Sequence, residues 1–268
     1  MARLSMNEMT TYRWSFDEDV AEYRKAGIQA IGVWRHKLSD YGEKQGIDLL
    51  AEAGLPVSNV LWAGGFTGSD GHTFRESIAD ATEAIRLAAA LKARSLVVYS
   101  GGRAGHTHNH ARRLLIDALR ELAPLAARAK VILAIEPMHA ACAAEWTFLT
   151  TLADALSVLD VIGSPSVQLV FDAYHFGCDR AALEFLPHFA GRIAIVHFAD
   201  GHCPTAQEQN RTRLGEGAVP LREVVAALRS VGYDGDYDVE LIGQEIEATD
   251  YRELLRHSKA MFEELVAK

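Results

Sequence analysis

Residues 131–139 read VILAIEPMH. Five consecutive apolar residues run straight into Glu136 and Pro137, with His139 two residues further on. This is the pattern of a strand buried on both faces whose end emerges at a site, and it places a carboxylate at the strand's carboxyl end. The same grammar recurs three times downstream. VQLVFDAYH ends in Asp172 and His175, RIAIVHFAD in His197 and Asp200, and YDVELIG carries Glu240. Four successive strands each present a metal-type ligand.

Upstream, short apolar runs alternate with helical patterns. A run around Leu4 to Asn7 precedes a helix with Ser15 and Glu18 at capping-box spacing, ending before Gly27. Ala30–Trp34 is a second strand, Glu43–Ala53 a second helix closed by Gly54, and Pro56–Trp62 a third strand. Thr73 and Glu76 offer another capping box, for FRESIADATEAIRLAAALKA, and Ser95–Tyr99 follows as strand four. The loop SGGRAGHTHNHARR then leads into the helix LLIDALRELAPLAARA and the strand to Glu136. Beyond it come a helix from about Thr147 to Leu159, the strand to Asp172, a short helix from about Arg180 and the strand to His197. Pro220 opens the helix LREVVAALRS, which Gly232 closes, and Thr249 to Val266 is a final helix after the strand to Glu240.

Eight strand-helix units in 268 residues predict an α/β protein, a single-domain (β/α)8 TIM barrel over residues 1–268. A doubly wound open sheet is the alternative. It places ligands at a switch point and has no GxGxxG after strand one to support it, whereas a barrel brings the carboxyl ends of strands five to eight side by side around one mouth.

Composition narrows the classes. With 49% hydrophobic residues and no Pro/Gly/Ser-rich linker, one domain is expected. No apolar run approaches the roughly 20 residues that cross a bilayer, and MARLSMNEMT lacks the apolar core of a signal peptide, so a soluble cytoplasmic protein without membrane contact is expected. A net charge of −9 gives no footprint for nucleic acid. Cys142, Cys178 and Cys203 are odd in number and lack CxxC spacing, which indicates neither a disulfide framework nor a thiolate zinc site.

Glu136 in IEPMH, Asp172 in FDAYH, His197 in IVHFAD and Glu240 in DVEL resemble, as a set, the metal ligands of the xylose isomerase-like TIM barrels, the sugar phosphate isomerase/epimerase family. The resemblance covers essentially the whole chain. EPMH and DAYH are also similar to the metal-binding catalytic subunits of enzymes that cleave 3-keto-glycosides by β-elimination, including C-glycoside deglycosidases. The resemblance implies one divalent cation and a sugar or keto-glycoside substrate, with a homo-oligomer or a small accessory subunit as protein partner.

Two Glu, one Asp and one His form a hard, oxygen-rich set that suits Mn²⁺ and is compatible with Mg²⁺, Co²⁺, Fe²⁺ or Zn²⁺. Such an ion acidifies the C–H beside a ketose carbonyl, so Glu136 and Glu240 are the expected proton carriers. His175 is expected to hold substrate or shuttle a hydroxyl proton. His139 is either a general base or a loop histidine. Trp34, Arg35, His108, Arg211 and Arg213 are the candidate substrate-binding residues. Trp34 is read as a stacking wall or as core, and Arg211 and Arg213 either grip an anion or sugar hydroxyl at the LGEG turn or lie on the surface. Trp14 and Trp62 are further wall candidates. Of His106, His108 and His110, one reaches the site or all are solvated. Gly101 and Gly102 offer amides to an anion, without a P-loop lysine.

Three functions remain open: an isomerase or epimerase working through an enediolate, a lyase eliminating from a 3-keto-glycoside, and a non-catalytic sugar-binding barrel. Free-ketose 3-epimerases of the family carry a further Glu shortly after the first ligand and an Arg six residues after the ligand His. Cys142 and Cys203 stand in those places here, with Glu145 and Arg211 as substitutes. The family's apurinic endonucleases need a histidine at the end of strand three, and SNVLWAGGF has none.

Overall fold

The computed structural model describes residues 2–143, 145–202 and 209–266. The strands are β1 (Arg3–Asn7), β2 (Ala30–Trp34), β3 (Val57–Gly64), β4 (Ser95–Tyr99), β5 (Ile132–Ile135), β6 (Val167–Asp172), β7 (Ile193–Phe198), β8 (Asp200–Gly201), β9 (Arg211–Thr212) and β10 (Asp236–Val239). Their order, β1-β10-β7-β6-β5-β4-β3-β2, closes on itself in a parallel (β/α)8 barrel, with β8 and β9 forming a separate two-stranded ribbon. No helix of the described residues is long and apolar enough to cross a membrane.

The chain's contacts group it into two units. The first comprises residues 1–58, 172–191 and 195–268. In it β1 pairs with β10 and with β2, and β10 with β7. Buried residues of β1 alternate apolar Leu4 and Met6 with polar Ser5 and Asn7, as in a strand covered on both faces. The polar ones are paired: Ser5 Oγ lies 2.6 Å from Ser58 Oγ, and Asn7 Nδ2 donates to Asp238 Oδ2 at 2.8 Å. The helix Phe16–Ala26 starts on the Ser15–Glu18 capping box and ends at left-handed Gly27.

The second unit, residues 59–171 and 192–194, holds the β3–β4, β4–β5 and β5–β6 pairings. Its helix Phe74–Ala90 starts on the Thr73–Glu76 capping box. The helix expected from Thr147 begins instead at Leu152, capped by Thr151. Residues 145–149 have other partners: Gly101 N and Gly102 N donate to Trp146 O and Glu145 O at 2.9 and 3.1 Å, and Ser100 Oγ accepts from Phe148 N. Backbone groups committed to that loop cannot also build a helical turn. The same bonds occupy the Gly101 and Gly102 amides, so the glycine pair shapes a loop and cradles no anion.

A buried charge cluster joins the carboxyl ends of β1 and β2. Lys37 Nζ donates to Asp19 Oδ2 at 2.6 Å and to the carbonyls of Glu8 and Thr11. Glu8 Oε2 accepts from Trp34 N at 2.7 Å, and Thr11 Oγ1 donates to Asp19 Oδ1. Burial raises the Asp19 carboxyl to about 6 against the pull of Lys37, and burial together with Asp19 raises Glu8 as well. Removing one partner of a buried ion pair strands the other. Lys37→Met should therefore cost about 3–5 kcal/mol in urea unfolding, and Lys37→Met/Asp19→Leu should recover part of it. A single-variant loss below about 1 kcal/mol, the range of exposed pairs, would contradict this account.

Candidate metal centre

Each proposed ligand sits where its strand ends. Glu136 follows β5, with its backbone N–H on Val98 O at 3.2 Å. Asp172 closes β6 and caps the short helix Ala173–Phe176: its Oδ1 accepts from Tyr174 N at 2.6 Å and His175 N at 3.4 Å. That cap commits one carboxylate oxygen to the backbone and leaves Oδ2 for the centre. His197 lies within β7, and Glu240 follows β10. The Thr10 hydroxyl donates to Val239 O at 2.9 Å and accepts from Leu241 N at 2.8 Å, gripping the backbone on both sides of Glu240.

Glu136, Asp172, His197 and Glu240 are all buried, and one ligand atom from each lies within 4.8 Å of all the others. His197 Nδ1 is 3.3 Å from Glu240 Oε2 and 3.9 Å from Asp172 Oδ2. Donors around an ion at roughly 2.1 Å stand about 3 to 4.2 Å apart, so the 3.3 and 3.9 Å separations fit one small divalent cation with hard donors. Charge fits as well. Three carboxylates face one buried cation, Arg211, whose Nη2 donates to Asp172 Oδ2 at 3.0 Å and whose Nη1 lies 2.9 Å from Glu240 Oε2. That leaves two negative charges, which a divalent ion balances.

Burial pushes Glu240 up, but His197 and Arg211 together outweigh it and hold the carboxyl at about 2. His175 is buried, and burial lowers its imidazole to about 4, so it is neutral near pH 7. Its Nε2 is 4.0 Å from Asp172 Oδ2, and neither ring nitrogen has a hydrogen-bond partner among the described residues.

The other expected site residues are placed less centrally. His139 is half-buried and its Nδ1 accepts from Ala141 N at 3.2 Å, within its own loop. The Trp34 ring lies 5.5 Å from that of Tyr12 in a tilted pair, beside Arg35 at the carboxyl end of β2. Trp14 meets Tyr251 edge-on at 5.2 Å, and Trp62 packs 5.3 Å from Trp146. His108 is exposed with its ring against Phe148, and His106 lies on Thr67 O and stacks with His110. None of the three belongs to the ligand cluster. Arg213 pairs with Glu253 at 3.0 Å. Glu145 is exposed, Cys142 is a free buried thiol, and Cys203 lies outside the described residues. Cys178 is disulfide-bonded, against the expectation that the cysteines indicate no disulfide.

Arg211 lies across the β8–β9 ribbon from Gly201, beside Asp200, whose role the sequence reading missed. The Asp200 carboxylate accepts four backbone N–H groups, from Gly201 and Val219 on Oδ1 and from Gly215 and Gly217 on Oδ2, at 2.8–3.1 Å. The amides of the LGEG turn are thus taken up by the chain's own aspartate, and neither Arg211 nor Arg213 takes part in those bonds. A side chain at Gly217 would collide with that carboxylate. The available signal was FADG followed by LGEG, an acid at a strand end with two glycines downstream. Thr10, Tyr174 and Gln209 carried no comparable signal.

Fold and site together define a (β/α)8 barrel with a buried acid–histidine cluster that could hold a metal ion. Residues 20–261 match the family model of the xylose isomerase-like TIM barrel, and the chain belongs to that family. Among its relatives, inosose isomerase of Bacillus velezensis is 27% identical over 57% of this chain and 54% of its own length. D-psicose 3-epimerase of Enterocloster bolteae is 30% identical over 44% of this chain and 36% of its own. The chain therefore spans about half or less of these relatives' lengths. The IOLI protein, solved with a bound zinc atom, superposes with a TM-score of 0.85 at 22% identity, over 99% of this chain and 98% of that one.

Truncating Asp200 would leave four amides without their acceptor. In Asp200→Ala, hydrogen exchange at Gly215, Gly217 and Val219 should accelerate at least about tenfold, since each charge-assisted bond contributes about 1.5–3 kcal/mol. Unchanged protection there would mean the turn closes on its own.

Proposed function

We propose that this protein is a divalent-metal-dependent isomerase or epimerase of a ketose or keto-sugar, with Glu136, Asp172, His197 and Glu240 as ligands. The observation that carries the reading is the convergence of four buried donors from four successive barrel strands within 4.8 Å. The names of the isomerase and epimerase relatives, and the zinc atom of the IOLI protein, support the same reading.

When bound, the divalent ion supplies a Lewis acid that polarises a carbonyl. The chain's own groups do the rest. Glu136 and Glu240 are the carboxylates available to take a proton from the carbon beside that carbonyl and to return it. Arg211, whose Nη1 lies 2.9 Å from Glu240 Oε2, favours the ionised form of Glu240, the form able to accept a proton. His175, neutral and without a hydrogen-bond partner on either ring nitrogen among the described residues, is placed to hold or relay a hydroxyl proton. His139, whose Nδ1 is engaged in its own loop, is the alternative base. Trp34 and Arg35 at the end of β2 and His108 and Arg213 further out are the remaining substrate contacts of this reading. Manganese is the ion favoured by the donor set.

Elemental analysis should find one equivalent of divalent metal in the purified protein and a large loss in Asp172→Ala. Equal metal in both would sink the ligand assignment. With an inosose or a free ketose in D₂O, the recovered or converted sugar should carry solvent deuterium beside the carbonyl, and a substrate deuterated there should show a primary isotope effect in a single turnover. Absence of both would rule out rate-limiting proton abstraction, and aglycone released from a 3-keto-glycoside would move the reading to elimination. His175→Ala should keep its metal yet lose at least about tenfold in turnover, roughly 1.4 kcal/mol of transition-state stabilisation.

A further inference from the structure

We infer that Arg211 sets the charge of the metal centre, cancelling one of three carboxylate charges so that a divalent ion, and not a trivalent one, completes neutrality. The inference rests on the metal reading above and concerns a residue that is not itself a ligand.

Arg211 is 2% exposed, an unusual place for a guanidinium without a specific task. Its two terminal nitrogens are divided between two different ligands: Nη2 on Asp172 Oδ2 at 3.0 Å, and Nη1 near Glu240 Oε2 at 2.9 Å and on the Glu240 carbonyl at 2.8 Å. Nη2 also donates to Gln209 Oε1 at 3.0 Å, and the guanidinium lies 4.9 Å above the Tyr174 ring. The backbone is held as firmly. Arg211 N donates to Ile242 O at 2.8 Å, and Gly201 faces Arg211 across the β8–β9 ribbon. A guanidinium does not lose its proton in proteins, so this positive charge is permanent. A fixed cation touching two ligand carboxylates raises the electrostatic cost of an incoming ion in proportion to that ion's charge, and therefore penalises a trivalent ion more than a divalent one of similar size. Lysine at this place would keep the charge and lose the two-pronged geometry.

The test measures ion binding and not turnover. Affinities for Mn²⁺ and Tb³⁺ are determined by calorimetric titration on the full chain and on Arg211→Met, Arg211→Lys and Gln209→Glu. Arg211→Met should raise the Tb³⁺-to-Mn²⁺ affinity ratio at least about tenfold. Arg211→Lys should stay near the parent ratio. Gln209→Glu, a half-buried position that sets a new carboxylate against Arg211, should shift the ratio the same way by a smaller factor and reads the effect even if Arg211→Met does not fold. Ions that bind with an unchanged ratio in Arg211→Met, or in Gln209→Glu should Arg211→Met not fold, would overturn the charge assignment while leaving the metal reading intact. Failure of the parent to bind either ion would overturn the metal reading, and this inference with it.

Discussion

Repulsion among Glu136, Asp172 and Glu240 is the interaction to which the strand ends of this barrel must answer. Two unit charges about 4 Å apart at an effective dielectric near 20 cost about 4 kcal/mol, and three such groups multiply the problem. The chain meets it with positive charge and with fixed geometry. Arg211 bridges two of the carboxylates, Asp172 spends one oxygen on its own helix cap, and Thr10 locks the backbone either side of Glu240. What remains is a concentrated negative site with one imidazole, a donor set that could hold a metal ion.

A second buried cluster shows the alternative solution. Around Asp19 and Glu8 the chain supplies its own ammonium, Lys37, and closes the ledger with three hydrogen bonds from Nζ and a threonine relay. No exchangeable ion is called for there. The two clusters differ less in how many acids they bury than in whether the sequence provides enough fixed positive charge beside them.

Much of this was legible in the sequence, for a local reason. The apolar runs before Glu136, Asp172, His197 and Glu240 gave their strands within a residue or two, and Ala30–Trp34 and Ser95–Tyr99 matched the structure at both ends. The capping boxes at Ser15 and Thr73 also formed. Such signals rest on neighbours in the chain. The start of the helix after β5 was misplaced because Phe148 and its neighbours spend their hydrogen bonds on the loop after β4, some 48 residues away. Arg211 and Asp200 were visible as residue types in plausible places, but which charge each would meet depends on a loop closure that no local pattern specifies. The family resemblance picked out Glu136, Asp172, His197 and Glu240 as a set, whose donor atoms lie within 4.8 Å of one another, and said nothing of the aspartate that organises the turn behind them.

That turn has a further consequence. The carboxylate of Asp200 ties residues 201, 215, 217 and 219 together, and the β8–β9 ribbon fastens residue 211 to 201. Four amides converging on one carboxylate make the turn a single unit, and Arg211 is attached to it through residue 201. A change at Asp200 would therefore reach Asp172 and Glu240 through Arg211, without touching either carboxylate.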